Sequence, residues 1–592
     1  MVVLGAQRVL SAVDERFVAP STFDPIESGA IQEGALCFER IRDCVKTEKG
    51  KVTLRCNIIM ASYVPGLSQR KVRNHFLETT IFLAVIFSSS ITSGSTFDEE
   101  GTSKAWLKKG RAELQRALHL TSHHKYGVAK NIILFLGDGM GISTVTAARI
   151  RGGQILGRSG EDNLLTFERF PHIALTKTYS ADNQVTDSAA AGTSMLTGVK
   201  VNSGVLGCDS RVTKGNCSNY RSDTKLKTIL HDFIDEGMST GIVTNSRLTH
   251  ATPASAYAQS PSRGWEGDVD MPSNSWFSSG DGEAMDMEEE PCEHVDDIAK
   301  QLVMNNKKIK VLMGGGRRYF LDNATKDPES ERVEKHHRRD GLNLVEEWKR
   351  DKLSRNASAR YVWNRDQLDA VDPEQTDYLL GLFDSSHMPY EPDDKNRKQP
   401  SLVEMTQKAL EILQKDKNGY FLLVEGARID FAHHDNSAIT AISETLELDQ
   451  AVATAERMTN GNRDPKDTLI IVTADHSHGF AIQGYAPTGH DILGKLPPGQ
   501  DTLDNLPYTT LGYTNGPYFQ RQDLTNVNTA DPNFHQQGCI PLSTETHAGE
   551  DVSVYAKGPW AHLFHATHDQ SYIYHVMQYA SCVGRNKKLY CD

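Results

Sequence analysis

The chain has 592 residues, a formal charge of −13, 38% hydrophobic and 24% charged residues and nine cysteines, a composition that fits a water-soluble globular protein. Its acidic balance speaks against a general nucleic-acid binder, which carries a net basic surface to neutralise phosphates. Nowhere does it reach the roughly twenty consecutive apolar residues that a membrane helix needs.

Residues 80–87 (TIFLAVIF) form the first apolar run, preceded by Arg70, Lys71 and Arg73 and followed by the small residues of 88–94. A basic segment, a short apolar core and a small-residue tract are the parts of a secretory signal, although here they lie well inside the chain. Met60 is a better start for such a signal than the first methionine. Residues 1–59, with Cys37, Cys44 and Cys56, are therefore expected to be a mis-joined or alternative leader rather than part of the folded protein, 60–94 a signal-like segment and 95–592 the folded chain. The other reading of 80–87 is a buried strand.

Beyond this segment, residues 104–120 have helical apolar spacing, and 131–136 (NIILFL) form a continuous apolar run that fits a central strand ending at Gly137. Similar runs recur at 309–313, 420–424 and 468–472, with helical stretches at 402–413 and 438–459 between them. Strands alternating with helices predict an α/β fold, a mostly parallel sheet covered on both faces. From about 480 to 541 the texture changes to Gly, Pro, Asn, Asp and Thr, which reads as an inserted loop-rich subdomain. The acidic run 283–290 and the basic run 332–339 read as solvated surface loops.

Without the leader six cysteines remain, an even number that suits an oxidising compartment. Cys582 and Cys591 close a short C-terminal loop, Cys217 with Cys292 is the second bridge expected, and Cys208 and Cys539 are what remains, their pairing left open. Three glycosylation sequons, at Asn216, Asn323 and Asn356, agree with export. No apolar tail follows Cys591, so the usual signal for a glycolipid anchor is missing and membrane attachment stays open.

Open α/β sheets bind ligands beyond the carboxyl ends of their strands. The first strand runs into Gly137-Asp138-Gly139-Met140-Gly141, where Ile142 replaces the last glycine of a dinucleotide fingerprint and Asp138 would repel a pyrophosphate but can bind a cation. The third ends at Glu425 and continues to Asp430 and His434, four apart and so on one helical face. The fourth ends in Asp475 and His476. Each group alone reads most simply as a cap or a hydrogen-bonded core histidine. Together they point to a multi-metal site, mixed Asp and His ligands suiting zinc and all-oxygen ligands suiting magnesium. Ser188, in Thr186-Asp187-Ser188-Ala189, stands at the start of a predicted helix, where backbone N–H groups receive anions. A serine N-cap is the plain alternative, and no Gly-x-Ser-x-Gly elbow is present.

GDGMG at 137–141, TDSA at 186–189, HATP at 250–253, VEGARID with His434, TADHSH at 473–478 and ETHAGEDV at 545–552 together resemble the animal alkaline phosphatases, over about 129–591. The resemblance implies a three-layer α/β/α sandwich with a crown-like insertion at 480–541, a homodimer, and an extracellular or cell-surface enzyme acting on small phosphate monoesters. It further implies that Ser188 is the phosphorylated nucleophile and Arg263 the phosphate grip. One zinc falls to Asp430, His434 and His547, and the other to Asp138, Asp475 and His476 beside Ser188. Magnesium falls to Asp138, Glu425 and Thr252, with His250 close behind. Two departures stand out. Gln399 precedes Pro400-Ser401-Leu402 where vertebrate members carry an acidic group, which implies a weakened calcium site at Glu329, Phe383 and Asp384. Phe431 stands where many of them have His. The rival readings are a silent binding protein of the same fold, which would lack Ser188 or Arg263, and a diesterase or sulfatase relative, which would lack Arg263 or carry a different nucleophile motif.

Overall fold

The structure, a computed structural model, describes residues 45–48, 51–54, 102–120, 127–272, 292, 294–391, 397–459, 467–498, 502–585, 587 and 591. The signal-like run 80–87 and the acidic run 283–290 lie outside them. The chain divides into two compact units, Met1–Ser95 and Thr96–Asp592. The first holds an antiparallel pair, Val45–Glu48 with Lys51–Leu54.

The second unit is built on ten strands, β1 (Asn131–Gly137), β2 (His172–Lys177), β3 (Ser239–Arg247), β4 (Val311–Gly315), β5 (Ala359–Val362), β6 (Tyr378–Leu382), β7 (Tyr420–Gly426), β8 (Thr468–Ala474), β9 (Val552–Lys557) and β10 (Thr567–Asp569). They lie in the order β10-β2-β9-β8-β1-β7-β3-β4-β6-β5. Every neighbouring pair is parallel except the two made by β9, which runs antiparallel to β8 and β2. β1 alternates between two cores: Ile132, Leu134 and Leu136 face one, Ile133 and Phe135 the other. That period of two explains an unbroken apolar run, because a parallel strand covered on both sides has no polar face.

Helices α1 (Ser103–Leu120), α3 (Ser188–Thr197), α4 (Ile229–Asp235) and α8 (Tyr572–Ser581) contribute to the first core. Helices α2 (Ile142–Ile155), α5 (Leu402–Leu413) and α7 (Ala438–Thr459) contribute to the second. The expected three layers are present. α5 begins at a capping box in which Ser401 and Glu404 satisfy each other's backbone N–H. A short helix, α6 (Arg428–His434), leaves β7 toward the strand ends. Residues 480–541 carry short strands, Phe480–Ile482 with Leu511–Gly516 and Gly538–Pro541, and Lys495–Leu496 with Tyr508–Thr509.

One expectation needs correction, and one point left open is resolved. The basic run is not wholly a solvated loop, because Arg338 is fully buried and forks onto Asp297 at 2.8 Å through both terminal nitrogens. A guanidinium leaves water only where carboxylates meet it. The six cysteines form two bridges, Cys217–Cys292 and Cys582–Cys591, while Cys208, buried, and Cys539, exposed, are free thiols. No helix among the described residues is long and apolar enough to cross a membrane.

Candidate active site

Register places the ligands. Leu136 lies opposite Glu425 in β7, and Gly137 opposite both Gly426 and Ala474 of β8, so Asp138 and Asp475 leave the sheet side by side. The chain after β1 must turn at once, and Gly139 does so at φ 70°; a Cβ there would stand 2.5 Å from the His478 ring. The Gly139 N–H donates to Asp475 Oδ1 at 3.0 Å.

Ser188 is the first residue of α3, but Asp187 is its cap, accepting from the N–H groups of Ala189 and Ala190. That frees the serine hydroxyl, which donates to Asp138 Oδ1 at 3.3 Å and lies 3.3 Å from His476 Nε2. Asp187 also accepts from Arg263 Nη1 at 3.0 Å, and Arg263 Nη2 meets His250 Nε2 at 3.1 Å. Burial first, and then the Arg263 charge, push the His250 imidazole well below its usual range, so it is neutral and accepts.

On α6, His434 Nε2 lies 3.4 Å from Asp430 Oδ1. His547 comes from a two-residue strand that pairs His478 with His547, and its Nε2 lies 3.2 Å from Asp430 Oδ1 and 3.1 Å from His434 Nε2. Glu425 Oε2 accepts from Thr244 at 2.5 Å and Ser246 at 3.2 Å, and Thr252 is buried beside it. All eleven residues singled out from the sequence therefore fall in this one region. Together with His478 they make three groups whose ligand atoms lie within 4.8 Å of one another: Asp430, His434, His478 and His547; Asp138, His250 and Glu425; and Asp138, Asp430 and His476.

His478 was quoted within the TADHSH motif but given no part. It is buried, with Nε2 2.8 Å from Asp430 Oδ1 and Nδ1 against Glu545. Burial pulls its pKa down, but the two carboxylates more than offset this and hold it up at about 10. No local spacing marks it, because its partners Asp430 and Glu545 lie 48 and 67 residues away in the chain. Phe431, the departure from the family pattern, packs its ring 4.3 Å from His387 and 5.4 Å from His250.

The charge balance calls for cations. Burial, followed by the charges of Asp475, Asp430 and Glu425, pushes Asp138 well above the usual carboxylate range. Burial pushes Glu425 to about 7 and raises Asp475. Asp430 is held well below despite its burial, by His434 and the hydrogen bonds of His478 and His547. Asp138 Oδ2, Glu425 Oε1 and Asp475 Oδ2 are buried and receive no hydrogen bond. Buried carboxylate oxygens left bare are costly unless a cation meets them, so these residues fit divalent ions.

The calcium positions do not fit in the same way. Gln399 Nε2 donates to Glu329 Oε1 at 3.2 Å and Asp384 Oδ2 at 3.5 Å, and Arg317 Nη2 donates to Glu329 Oε2 at 3.0 Å. An amide and a guanidinium already occupy the side of these carboxylates that an oxygen-bound ion would need.

A serine on a helix start, an arginine beside it and carboxylates converging from parallel strands make a metal-dependent hydrolase of the α/β class, suited to phosphoryl groups. The comparisons carry this further. A family model for alkaline phosphatase matches residues 129–583. The chain is 44% identical to the tissue-nonspecific isozyme of alkaline phosphatase from Gallus gallus over 513 residues, 86% of this chain and 94% of that protein. It is 43% identical to the Homo sapiens isozyme over 512 residues, 85% and 93% of the two chains. The chain belongs to the alkaline phosphatase family, whose activity is metal-dependent hydrolysis of phosphate monoesters. Solved bacterial members share the fold: the enzyme of the Antarctic bacterium TAB5 (TM-score 0.52, 20% identity, 78% of this chain and all of that one) and that of Thermus thermophilus (0.53, 23%, 77% and 91%).

Proposed function

We propose that this chain hydrolyses phosphate monoesters through a phosphoserine at Ser188. The observation that carries the reading is the convergence of the Ser188 hydroxyl on Asp138 and His476, with Arg263 held alongside by Asp187. Asp430, His434 and His547 would hold one zinc ion, Asp138, Asp475 and His476 with Ser188 the second, and Asp138, Glu425 and Thr252 a magnesium ion with His250 behind them. The donor chemistry supports this division, imidazole with carboxylate in the first two and oxygen alone in the third. Bound there, the cations supply positive charge to the attacking and leaving oxygens of an in-line displacement.

The chain's own residues do the remainder. Arg263 offers two parallel N–H donors to two nonbridging phosphate oxygens, a fork that lysine cannot reproduce. Asp187 keeps that fork aimed. Ser188 Oγ forms a bond to phosphorus as the P–O bond to the alcohol breaks and the alcohol leaves protonated; water then attacks that phosphorus, the P–Oγ bond breaks, and inorganic phosphate leaves with Ser188 protonated again. Release of p-nitrophenol from its phosphate monoester, lost to chelator and restored by zinc with magnesium, is the expected behaviour. Equal turnover of a phosphodiester, or indifference to chelator, would overturn the reading.

Zinc and magnesium thus complete the site, whereas calcium at Glu329, Phe383 and Asp384 is replaced by Gln399 and Arg317 in our reading. The enzyme is a secreted or cell-surface homodimer, made with 1–59 as an alternative leader and 60–94 as the signal, and 480–541 is its crown-like insertion. Asn323 and Asn356 are exposed and Asn216 is half-buried, in keeping with glycan acceptors. N-terminal sequencing of secreted protein tests the leader: a mature start upstream of residue 80 would contradict it.

A further inference from the structure

β3 reaches the site with three polar residues, and they do not share one task. Thr244 and Ser246 donate to Glu425. Asn245, between them and 1% exposed, points elsewhere. Its Oδ1 accepts from the N–H groups of Ala427 at 2.8 Å and Arg428 at 3.3 Å, and its Nδ2 donates to Glu444 Oε2 at 2.9 Å. Ala427 and Arg428 are the cap residue and first residue of α6, and the methyl side chain of Ala427 has no hydrogen-bonding group to cap with. Asn245 therefore caps that helix from a different strand, meeting two of the N–H groups that a helix start leaves unsatisfied.

Glu444, on α7 and also 1% exposed, accepts the Glu391 N–H on its other oxygen at 2.7 Å. With both its oxygens taken by donors, it determines which way the Asn245 amide faces: reversed, Nδ2 would point at two N–H donors and Oδ1 at a carboxylate. The segment 244–246 thus grips Glu425 through its outer members and the root of the Asp430 and His434 helix through its middle one.

We propose that Asn245, oriented by Glu444, is a positioning residue that fixes the spacing between Glu425 and the pair Asp430 and His434. The proposal rests on the reading of those three as metal ligands. It predicts that a change at position 245 or 444, neither of which touches substrate, loosens the α6 ligands while Glu425 keeps its two hydroxyl partners.

The test uses the full chain loaded with zinc and magnesium, and reads the rate of zinc release into chelator, kcat and KM, and Tm. Asn245→Asp retains an acceptor for the two N–H groups but sets a second carboxylate against Glu444. Glu444→Gln turns an amide donor toward the Asn245 amide or the Glu391 N–H. Combined, the two restore the contact with donor and acceptor exchanged, the new amide at 444 donating to the new carboxylate at 245 while its carbonyl accepts the Glu391 N–H. Each single variant is expected to release zinc about tenfold faster, the scale on which partners of metal ligands act, with kcat lowered and KM little changed. The double variant is expected to return to within about threefold of the parent. Single variants that release zinc at the parent rate, or a double variant that leaks as fast as the two single effects multiplied, would overturn the proposal. If Asn245→Asp fails to fold, the double variant decides: folded and zinc-retaining supports the proposal, unfolded or leaking overturns it. A parent chain that holds no zinc would instead sink the metal assignment itself.

Discussion

Ser188→Ala separates chemistry from architecture because of where the cap of α3 lies. The substitution removes one oxygen whose two contacts, to Asp138 and His476, are both 3.3 Å long, beyond the usual reach of a strong O–H bond. Each is worth about 1 kcal/mol at most. Asp187 keeps its bonds to Ala189 and Ala190, so the helix does not lose the roughly 1 kcal/mol that a cap provides. Tm should therefore fall by less than about 3 °C, and zinc and magnesium content should stay near the parent's. Activity should drop by roughly 10⁴-fold or more, the scale of removing a covalent nucleophile. The assay combines p-nitrophenyl phosphate turnover, acid-quenched labelling with radioactive phosphate and metal analysis of the same preparation. A variant that still traps labelled phosphate on the protein would refute the assignment of Ser188. One that unfolds would refute the argument about the cap.

Lys200 is 1% exposed, donates to the carbonyls of Lys177 and Tyr179, and is pushed down to about 7 by burial, with Asp569 opposing. In the unfolded chain it keeps its proton to its ordinary value of 10.5, so between these limits the unfolded state binds more protons. Stability then rises with pH by up to about 1.4 kcal/mol per pH unit from this group. Lys200→Met should flatten that rise in urea unfolding between pH 7 and 10, and unchanged slopes would count against it. Gln399→Glu should cost about 1–3 kcal/mol without calcium by removing a donor from Glu329 and Asp384; calcium at a hundred times its Kd should return about 2.7 kcal/mol, and a Tm indifferent to calcium would show that no site was built. Native alkylation followed by peptide mapping should label Cys539 and spare Cys208, which is buried and whose thiol is pushed up to about 12; equal labelling would mean that the fold around Cys208 opens readily.

How far the sequence could be read depended on burial pattern. β1, β7 and β8 lie in the middle of the sheet, and their unbroken apolar runs could be nothing short and exposed. β3 is just as buried, but Ser239, Thr240, Thr244, Asn245 and Ser246 give it the texture of a loop, the last three because they serve the site. β9 was invisible for another reason: an antiparallel strand between β8 and β2 has no parallel crossover to announce it. The candidate ligands after strand ends were legible, since local order alone brings those residues to the strand ends. His478, Glu545 and Asn245 were not, because each acts through a partner far away in the chain, and spacing carries no trace of such contacts.

The position of α6 shows how those distant contacts enter the function. Seven residues are too few for a helix to hold itself in water, yet this one must carry Asp430 and His434 to a fixed place. Its start is tied to the sheet through Asn245. Its end is tied elsewhere: His434 Nδ1 meets the Glu545 carbonyl at 2.6 Å, the Glu545 N–H donates back to the His434 carbonyl at 3.0 Å, and His433 stands between Tyr513 and Thr144, each hydroxyl 2.9 Å from a ring nitrogen. Tyr513 belongs to the 480–541 segment and Thr144 to α2. That segment is therefore part of what locates α6, and it joins the site at the end opposite to the one the sheet controls. Asp138, Glu425 and Asp475 are placed by strand register and by partners at the same strand ends, whereas Asp430 and His434 depend on the agreement of the sheet and the 480–541 segment. Loosening of the 480–541 segment should accordingly reach the half of the site built on α6 before the half built on strand ends.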